Sequence, residues 1–176
     1  MEFNKLVKNR RSCRNFKESK ITKKDINAII KTALLAPSWK NSETGRYYVA
    51  LSDEAIAKVF ENLPDFNQES SKNAAYIVSC YKKGESGCRK ANEYTDKLKD
   101  SWGAYDLGLQ NAYLMLKASE LGYDTLVMGL RNEKAIRKYF NIPNDQIMMP
   151  IIAIGKKTGK LSLNSRKSID EVLKVY

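Results

Sequence analysis

The 176-residue sequence contains no histidine. That absence removes Ser-His-Asp and Cys-His triads, histidine-ligated zinc and imidazole acid–base catalysis, and much hydrolytic chemistry goes with them. Cysteine is scarce: Cys13, Cys80 and Cys88 are odd in number and lack C-x-x-C spacing, which argues against a zinc ribbon, a dithiol redox pair or a disulfide scaffold. They read as reduced thiols, with Cys80 filling core inside the apolar run 75–80. No stretch approaches the ~20 apolar residues of a membrane helix, and residues 1–11 lack the apolar run of a signal peptide. A cytoplasmic protein with residues 1–176 in a single domain is expected. Neither G-x-G-x-x-G nor G-x-x-x-x-G-K-[ST] occurs, so any phosphate must be held by side chains rather than by a glycine-rich cradle.

Net negative charge is also lacking. Lysine and arginine number 31 against 20 acidic residues, a surplus of 11. Residues 1–24 hold nine basic and two acidic side chains, residues 156–176 hold six and two, and the body between them holds 16 of each. A basic surplus ordinarily suggests a nucleic acid, through counterion release. A surplus confined to the two ends, with a neutral body, argues against a long basic face and allows both ends to meet around one small phosphate.

Hydrophobic spacing then supplies the elements. A first helix is expected over residues 2–9, where Phe3, Leu6 and Val7 share a face. Thr22-Lys23-Lys24-Asp25 resembles a capping box, with Ile21 and Ile26 placed as a staple, and opens a helix of about 14 residues that Pro37 stops. A strand over 47–51 precedes a helix capped by Asp53; a second strand covers 73–81, and 82–100 reads as a polar loop with a short helix near Tyr94. Residues 101–121 form the clearest long helix, with Trp102, Tyr105, Leu109, Ala112, Tyr113 and Leu116 on its apolar face and Gly122 as its left-handed cap. A short strand over 124–129, a helix capped by Asn132, a strand over 147–154 with an edge or bulge at Pro150, and a basic tail complete the chain. The pattern fits either a doubly wound parallel sheet or an α+β layer fold.

Three segments can carry chemistry. In Arg10-Arg11-Ser12-Cys13-Arg14 the guanidinium forks suit phosphate oxygens, and an extended backbone projects Arg10, Ser12 and Arg14 from one side. A solvated basic patch is the plain alternative. Ala36-Pro37-Ser38-Trp39-Lys40-Asn41 is a rigid loop end whose asparagine can both donate to and accept from a heteroaromatic edge; an ordinary helix stop explains it as well. Residues 121–130 place Gly122 as a cap and Gly129 where backbone can approach a ligand, or simply join a helix to a strand.

Taken in order, these segments resemble the nitroreductase family of FMN-dependent oxidoreductases. Arg10-Arg11-Ser12-Cys13-Arg14-Asn15-Phe16 is similar to that family's R-[RH]-S-x-[RK]-x-F, and Ala36-Pro37-Ser38-Trp39-Lys40-Asn41 to its [AS]-P-S-x-x-N. The long helix ending in Leu121-Gly122, the Ile142-Pro143 pair, the apolar strand ending at Gly155 and the closing Arg166-Lys167 follow in family order. The resemblance implies an α+β fold, a central mainly antiparallel sheet flanked by helices, in an intertwined homodimer with FMN at the subunit interface. It implies cofactor contacts from Arg10, Arg11, Ser12 and Arg14, from Pro37, Ser38 and Asn41 of the partner subunit, and more loosely from Asn67. Val127, Met128, Gly129 and Leu130 would lie along the flavin, with the Gly129 N–H facing N5, and Arg166 would hold the phosphate. NADH or NADPH would be the electron donor and a nitroaromatic, quinone or similar small acceptor the oxidant, with no nucleic-acid or membrane partner. The same residues leave open a specialised reduction such as dehalogenation or an ene-type step, and a slow flavin-storage protein. Family members commonly continue past the asparagine with a Gln-Pro-Trp-like run, where this chain has Ser42-Glu43-Thr44-Gly45-Arg46.

Overall fold

In the computed structural model, which describes residues 2–161 and 163–176, every strand pair runs antiparallel, and the sheet is organised around one long strand. The elements in order are α1 (Phe3–Asn9), β1 (Phe16–Lys17), α2 (Lys23–Ala33), β2 (Gly45–Ala50), α3 (Asp53–Phe60), α4 (Asp65–Ser71), β3 (Ala75–Lys82), α5 (Ser101–Glu120), β4 (Asp124–Met128), α6 (Glu133–Tyr139) and β5 (Gln146–Lys157). β5 pairs with β3, with β4 and, at its end, with β1; β2 pairs with β3. The doubly wound alternative is thereby excluded and the α+β architecture established.

Helices cover both faces, so β3 is buried at nearly every position and the Ile151-Ile152-Ala153-Ile154 run of β5 is apolar throughout. Alternate residues feed two core layers. Val78, Ile151 and Ala153 pack with Ala55 and Val59 of α3 and Ile136 of α6. Ile77, Ile152 and Ile154 pack on the other face with Ile26, Ile29 and Ala33 of α2 and Leu114 and Ala118 of α5. Pro150, which has no N–H to offer, sits in a bulge: Val78 faces Ile151 and Cys80 faces Met148, leaving Ser79 alone opposite two residues. The Ser79 hydroxyl donates to the Pro150 carbonyl at 2.8 Å.

Several boundaries differ from the sequence expectations for identifiable reasons. The Thr22 hydroxyl caps α2 through the Asp25 N–H (3.1 Å) as expected, but the helix has 11 residues rather than 14 because Leu35 and Ala36 bond three residues back in tighter turns. Ser52, not Asp53, caps α3, accepting the Ala55 N–H at 3.2 Å. β3 begins at Ala75 because Asn73 adopts a left-handed φ of 66°. The 82–100 segment is a series of turns, with no helix at Tyr94. β1 and α4 are additional elements. α4 escapes a periodicity search because the residues it buries, Asn67 and Ser71, are polar; Ser71 donates to the Asn67 carbonyl at 2.6 Å and lies 3.0 Å from the Tyr76 hydroxyl.

The largest correction concerns α5. Its expected apolar face points outward, with Tyr105 60% and Tyr113 39% exposed, whereas the buried side carries Asp106, Gln110 and Asn111 beside Leu107 and Leu114. Those polar groups find partners inside: Tyr47 donates to Gln110 at 3.1 Å and Asn111 donates to Ser79 at 3.3 Å, while the Asn111 Oδ1 has no partner among the described residues. The helix ends as expected, with Gly122 at φ 81° and the Tyr123 N–H returning to the Ala118 carbonyl at 2.9 Å. At its first turn the backbone of Gly103 lies against the ring of Tyr81, which is 4% exposed and has no room to swing away. Gly103→Ala should therefore cost about 1–3 kcal/mol in urea unfolding, as overpacking does; an unchanged midpoint would contradict this packing.

Candidate functional site

The chain passes from α1 into the extended 10–14 segment, where the Cys13 N–H donates to the Thr125 carbonyl at 2.9 Å and Ser12 forms a parallel bridge with Thr125. Cys13 is fully buried and joins the core, its thiol 3.3 Å from the Asn15 carbonyl. That inward anchor sets the alternation. Ser12 and Arg14, its neighbours in an extended segment, are less buried than Cys13, as alternation about an inward residue requires. The inward anchoring also accounts for a cysteine among cations: it packs.

Arg10 is half-buried, and its charged form is disfavoured by burial first, then by Arg11, then by Arg166 from the far end of the chain. The two charged termini thus converge. Arg131 and Arg137 both pair with Glu133, at 3.1 and 2.9 Å, whereas none of the ion pairs among the described residues uses Arg10, Arg11, Arg14 or Arg166. Among the described residues, Arg166 bonds only carbonyls of its own segment, Asn164 and Ser165. Arg11 departs from the set. Its Nη1 donates to the Arg10 carbonyl at 2.9 Å, its Nε is buried without a partner among the described residues, and it borders a cleft of about 430 Å³ with Lys8, Lys157 and Lys160. Guanidinium groups that approach one another without a carboxylate, as those of Arg10 and Arg166 do, are donors suited to a phosphate.

Val127 and Leu130 are 47% and 64% exposed, Met128 is buried, and Gly129 is exposed. A Cβ added at Gly129 would meet nothing within 4 Å, so the chain itself does not demand a glycine there; the space above it is open to a bound molecule. Asn67, 7% exposed on α4, donates to the Leu130 carbonyl at 3.3 Å. Arg131 braces the same segment by donating to the Gly129 carbonyl at 2.5 Å and the Met148 carbonyl at 2.6 Å. Ser12 is thus held near the start of β4 through Thr125, and Asn67 holds the segment that follows its end through Leu130.

The Pro37-Ser38-Asn41 loop stands apart. Its bonds run to Glu43 and Asp106, and none among the described residues joins it to the 10–14 segment or to 127–130. Lys40, Asn41 and Glu43 all have positive φ, at 46°, 55° and 47°. Ser38 accepts the Glu43 N–H at 3.1 Å and Asn41 donates to the Glu43 carboxylate at 3.1 Å. Beside the loop, Trp39, Trp102 and Tyr105 stack in sequence, with centroids 4.7 and 5.9 Å apart. Asp106 and this aromatic cluster were not singled out from the sequence as site residues; a lone aspartate in the middle of an apolar helix was the available signal.

A family model described as "Nitroreductase family" matches residues 7–156. An Archaeoglobus fulgidus protein named "Putative NADH dehydrogenase/NAD(P)H nitroreductase" is 28% identical over 155 residues, covering 86% of this chain and 83% of its own. The Bacillus subtilis "Putative NAD(P)H nitroreductase YdgI" is 26% identical, covering 97% and 96%. Among solved structures, a "putative nitroreductase in complex with FMN" from Exiguobacterium sibiricum superposes with a TM-score of 0.83 at 25% identity, covering 100% of this chain and 98% of that one.

Burial governs the thiols. Cys13, Cys80 and Cys88 are 0%, 0% and 5% exposed, and desolvation pushes each up, Cys80 to about 12. All three should resist a thiol reagent at pH 8 in the native protein and react once it is unfolded; a fast native reaction would contradict the packing. Because these groups stay protonated longer when folded, the stability they contribute is complete below the unfolded thiol range near pH 8.5 and declines as pH rises toward 12.

Proposed function

The chain belongs to the nitroreductase family, and on that premise we propose that it is an FMN-dependent oxidoreductase, working as a homodimer and passing electrons from NADH or NADPH to a small acceptor such as a nitroaromatic or a quinone. The observation that carries the reading is the approach of Arg166 to Arg10 and Arg11, none of them in an ion pair among the described residues; the open space at the exposed Gly129 supports it. The residues fit the group: their donors match a phosphate, and the side chains that flank it are polar on one side and apolar on the other.

In this assignment Arg10, Ser12, Arg14 and Arg166 hold the phosphate, the ribityl chain and the pyrimidine edge. Arg11 supports them from behind through the Arg10 carbonyl. Val127 and Leu130 offer apolar contact to the ring, Met128 anchors their strand in the core, Gly129 offers a backbone N–H, and Asn67 fixes the Leu130 carbonyl. Pro37, Ser38 and Asn41 of the partner subunit complete the pocket. FMN held by these residues would supply the two-electron chemistry that links a nicotinamide donor to a small acceptor in a ping-pong cycle. The chain's own part is electrostatic: Arg14 stabilises the negative charge that builds at the pyrimidine edge on reduction, and fixed N–H groups orient the ring. No imidazole is required for that task.

Dimerisation explains the inverted face of α5. Tyr105 and Tyr113 are exposed there, and the tail leaves Leu163, Ile169, Val172, Leu173 and Val175 uncovered, apolar side chains that a second subunit would cover.

Purified protein should be yellow or become so with FMN, and NADH or NADPH should bleach the flavin band anaerobically; a preparation that gains no flavin band would overturn the assignment. Arg14→Ala and Arg166→Ala should each weaken FMN binding by roughly ten- to a hundredfold, since a hydrogen bond to a charged group is worth about 1.5–3 kcal/mol, with the unfolding midpoint little changed. Sedimentation should show a dimer, and an FMN-bound monomer would contradict the shared site.

A further inference from the structure

Asp106 is 2% exposed at the middle of the buried side of α5, and one of its oxygens, Oδ2, gathers three donors from two separate loops. The Trp39 backbone N–H donates at 3.1 Å and the Ser42 hydroxyl at 3.4 Å, both from the loop after α2; the Ser86 hydroxyl donates at 2.6 Å from the turns after β3. Among the described residues it has no ion-pair partner, so these donors are what compensate a buried carboxylate.

The loop so held is a strained one. Lys40, Asn41 and Glu43 occupy the left-handed region within four residues, a conformation that non-glycine residues keep only when the surroundings enforce it. Its own bonds, Glu43 N–H to Ser38 and Asn41 to Glu43, close the loop on itself but do not attach it to the fold. Attachment comes from Asp106, from Arg46 of β2, which donates to the Glu43 carbonyl at 2.9 Å, and from the packing of Trp39 against Trp102, whose Nε1 donates in turn to Asp96 at 2.9 Å. We propose that Asp106 is a positioning residue: its buried carboxylate clamps the strained 38–43 loop to α5 and thereby presents Ser38 and Asn41 to the flavin of the partner subunit. The proposal rests on the FMN reading above for the last step only; the clamp itself is a property of the single chain. It also ties the loop to the 84–100 turns through Ser86, so that the two segments bordering the aromatic cluster move together or not at all.

Trp39 and Trp102 are the two tryptophans of the protein, and both lie in the clamp. Their emission therefore reports the loop directly. The experiment compares Asp106→Asn and Asp106→Ala with Val59→Ala, which opens a cavity in the core layer on the other face of the sheet. Tryptophan emission, hydrogen exchange at residues 38–43, FMN affinity and thermal midpoint are measured on each full-length protein. The clamp predicts altered emission and faster exchange confined to 38–43 in both Asp106 variants. FMN binding should weaken at least tenfold in Asp106→Ala and less in Asp106→Asn, which keeps one oxygen acceptor. Val59→Ala should lose midpoint without changing emission or FMN affinity. Wild-type emission and FMN affinity in Asp106→Ala, or an equal loss of FMN affinity in Val59→Ala at a matched midpoint, would overturn the proposal. Should Asp106→Ala not fold, Asp106→Asn carries the comparison. Should the wild type bind no FMN, the functional reading fails by itself, and exchange at 38–43 still decides the clamp: faster in Asp106→Asn than in Val59→Ala supports it, equal overturns it.

Discussion

Like charges do not gather in a folded protein without compensation. Arg10, Arg11 and Arg166 approach one another from opposite ends of the chain, and burial adds to their mutual repulsion. Elsewhere the protein pairs its arginines in the usual way, as Glu133 does for Arg131 and Arg137. A site that accumulates cations and withholds carboxylates is unfavourable when empty and favourable around an anion, so the free energy lost in assembling it is recovered on binding. The rest of the structure can be understood as the means of bringing two chain ends to that point.

β5 does most of that work. Its pairing with β4 and β1 fixes where residues 12–17 must run, and the Cys13 to Thr125 bond holds the extended segment with Cys13 inward. The tail leaves the end of the same strand and returns Arg166 to the same place. On the other side of the sheet α5 takes a different role. It turns polar residues inward, where each meets a specific partner, and apolar residues outward, where a second subunit would cover them. An inward Asp106 then holds the loop that the partner's site would receive.

Much of this was legible in the sequence. The helix caps at Thr22 and Asn132, the left-handed Gly122, the bulge at Pro150 and the two-sided burial of β3 and β5 all follow from local chemistry. The division of charge between ends and body anticipated the approach of Arg166 to Arg10. What was not legible shares one cause. Periodicity assumes that buried means apolar, and α4 and α5 bury Asn67, Ser71, Asp106, Gln110 and Asn111 because distant groups such as Leu130, Tyr76, Ser86, Tyr47 and Ser79 are there to meet them. Those partners lie far away in sequence, and no local pattern announces them. Likewise Arg11 sits in the signature beside Arg10, yet the backbone alternation sends its side chain to another surface.

The central claim is that the converging arginines are a phosphate site belonging to a flavin. The most direct test compares FMN with riboflavin, which has the same ring and ribityl chain and no phosphate, in parallel titrations at low and moderate salt. The account predicts that FMN binds at least a hundredfold more tightly, a difference of about 2.7 kcal/mol, and that the gap narrows as salt rises. Equal affinity for the two flavins would contradict it.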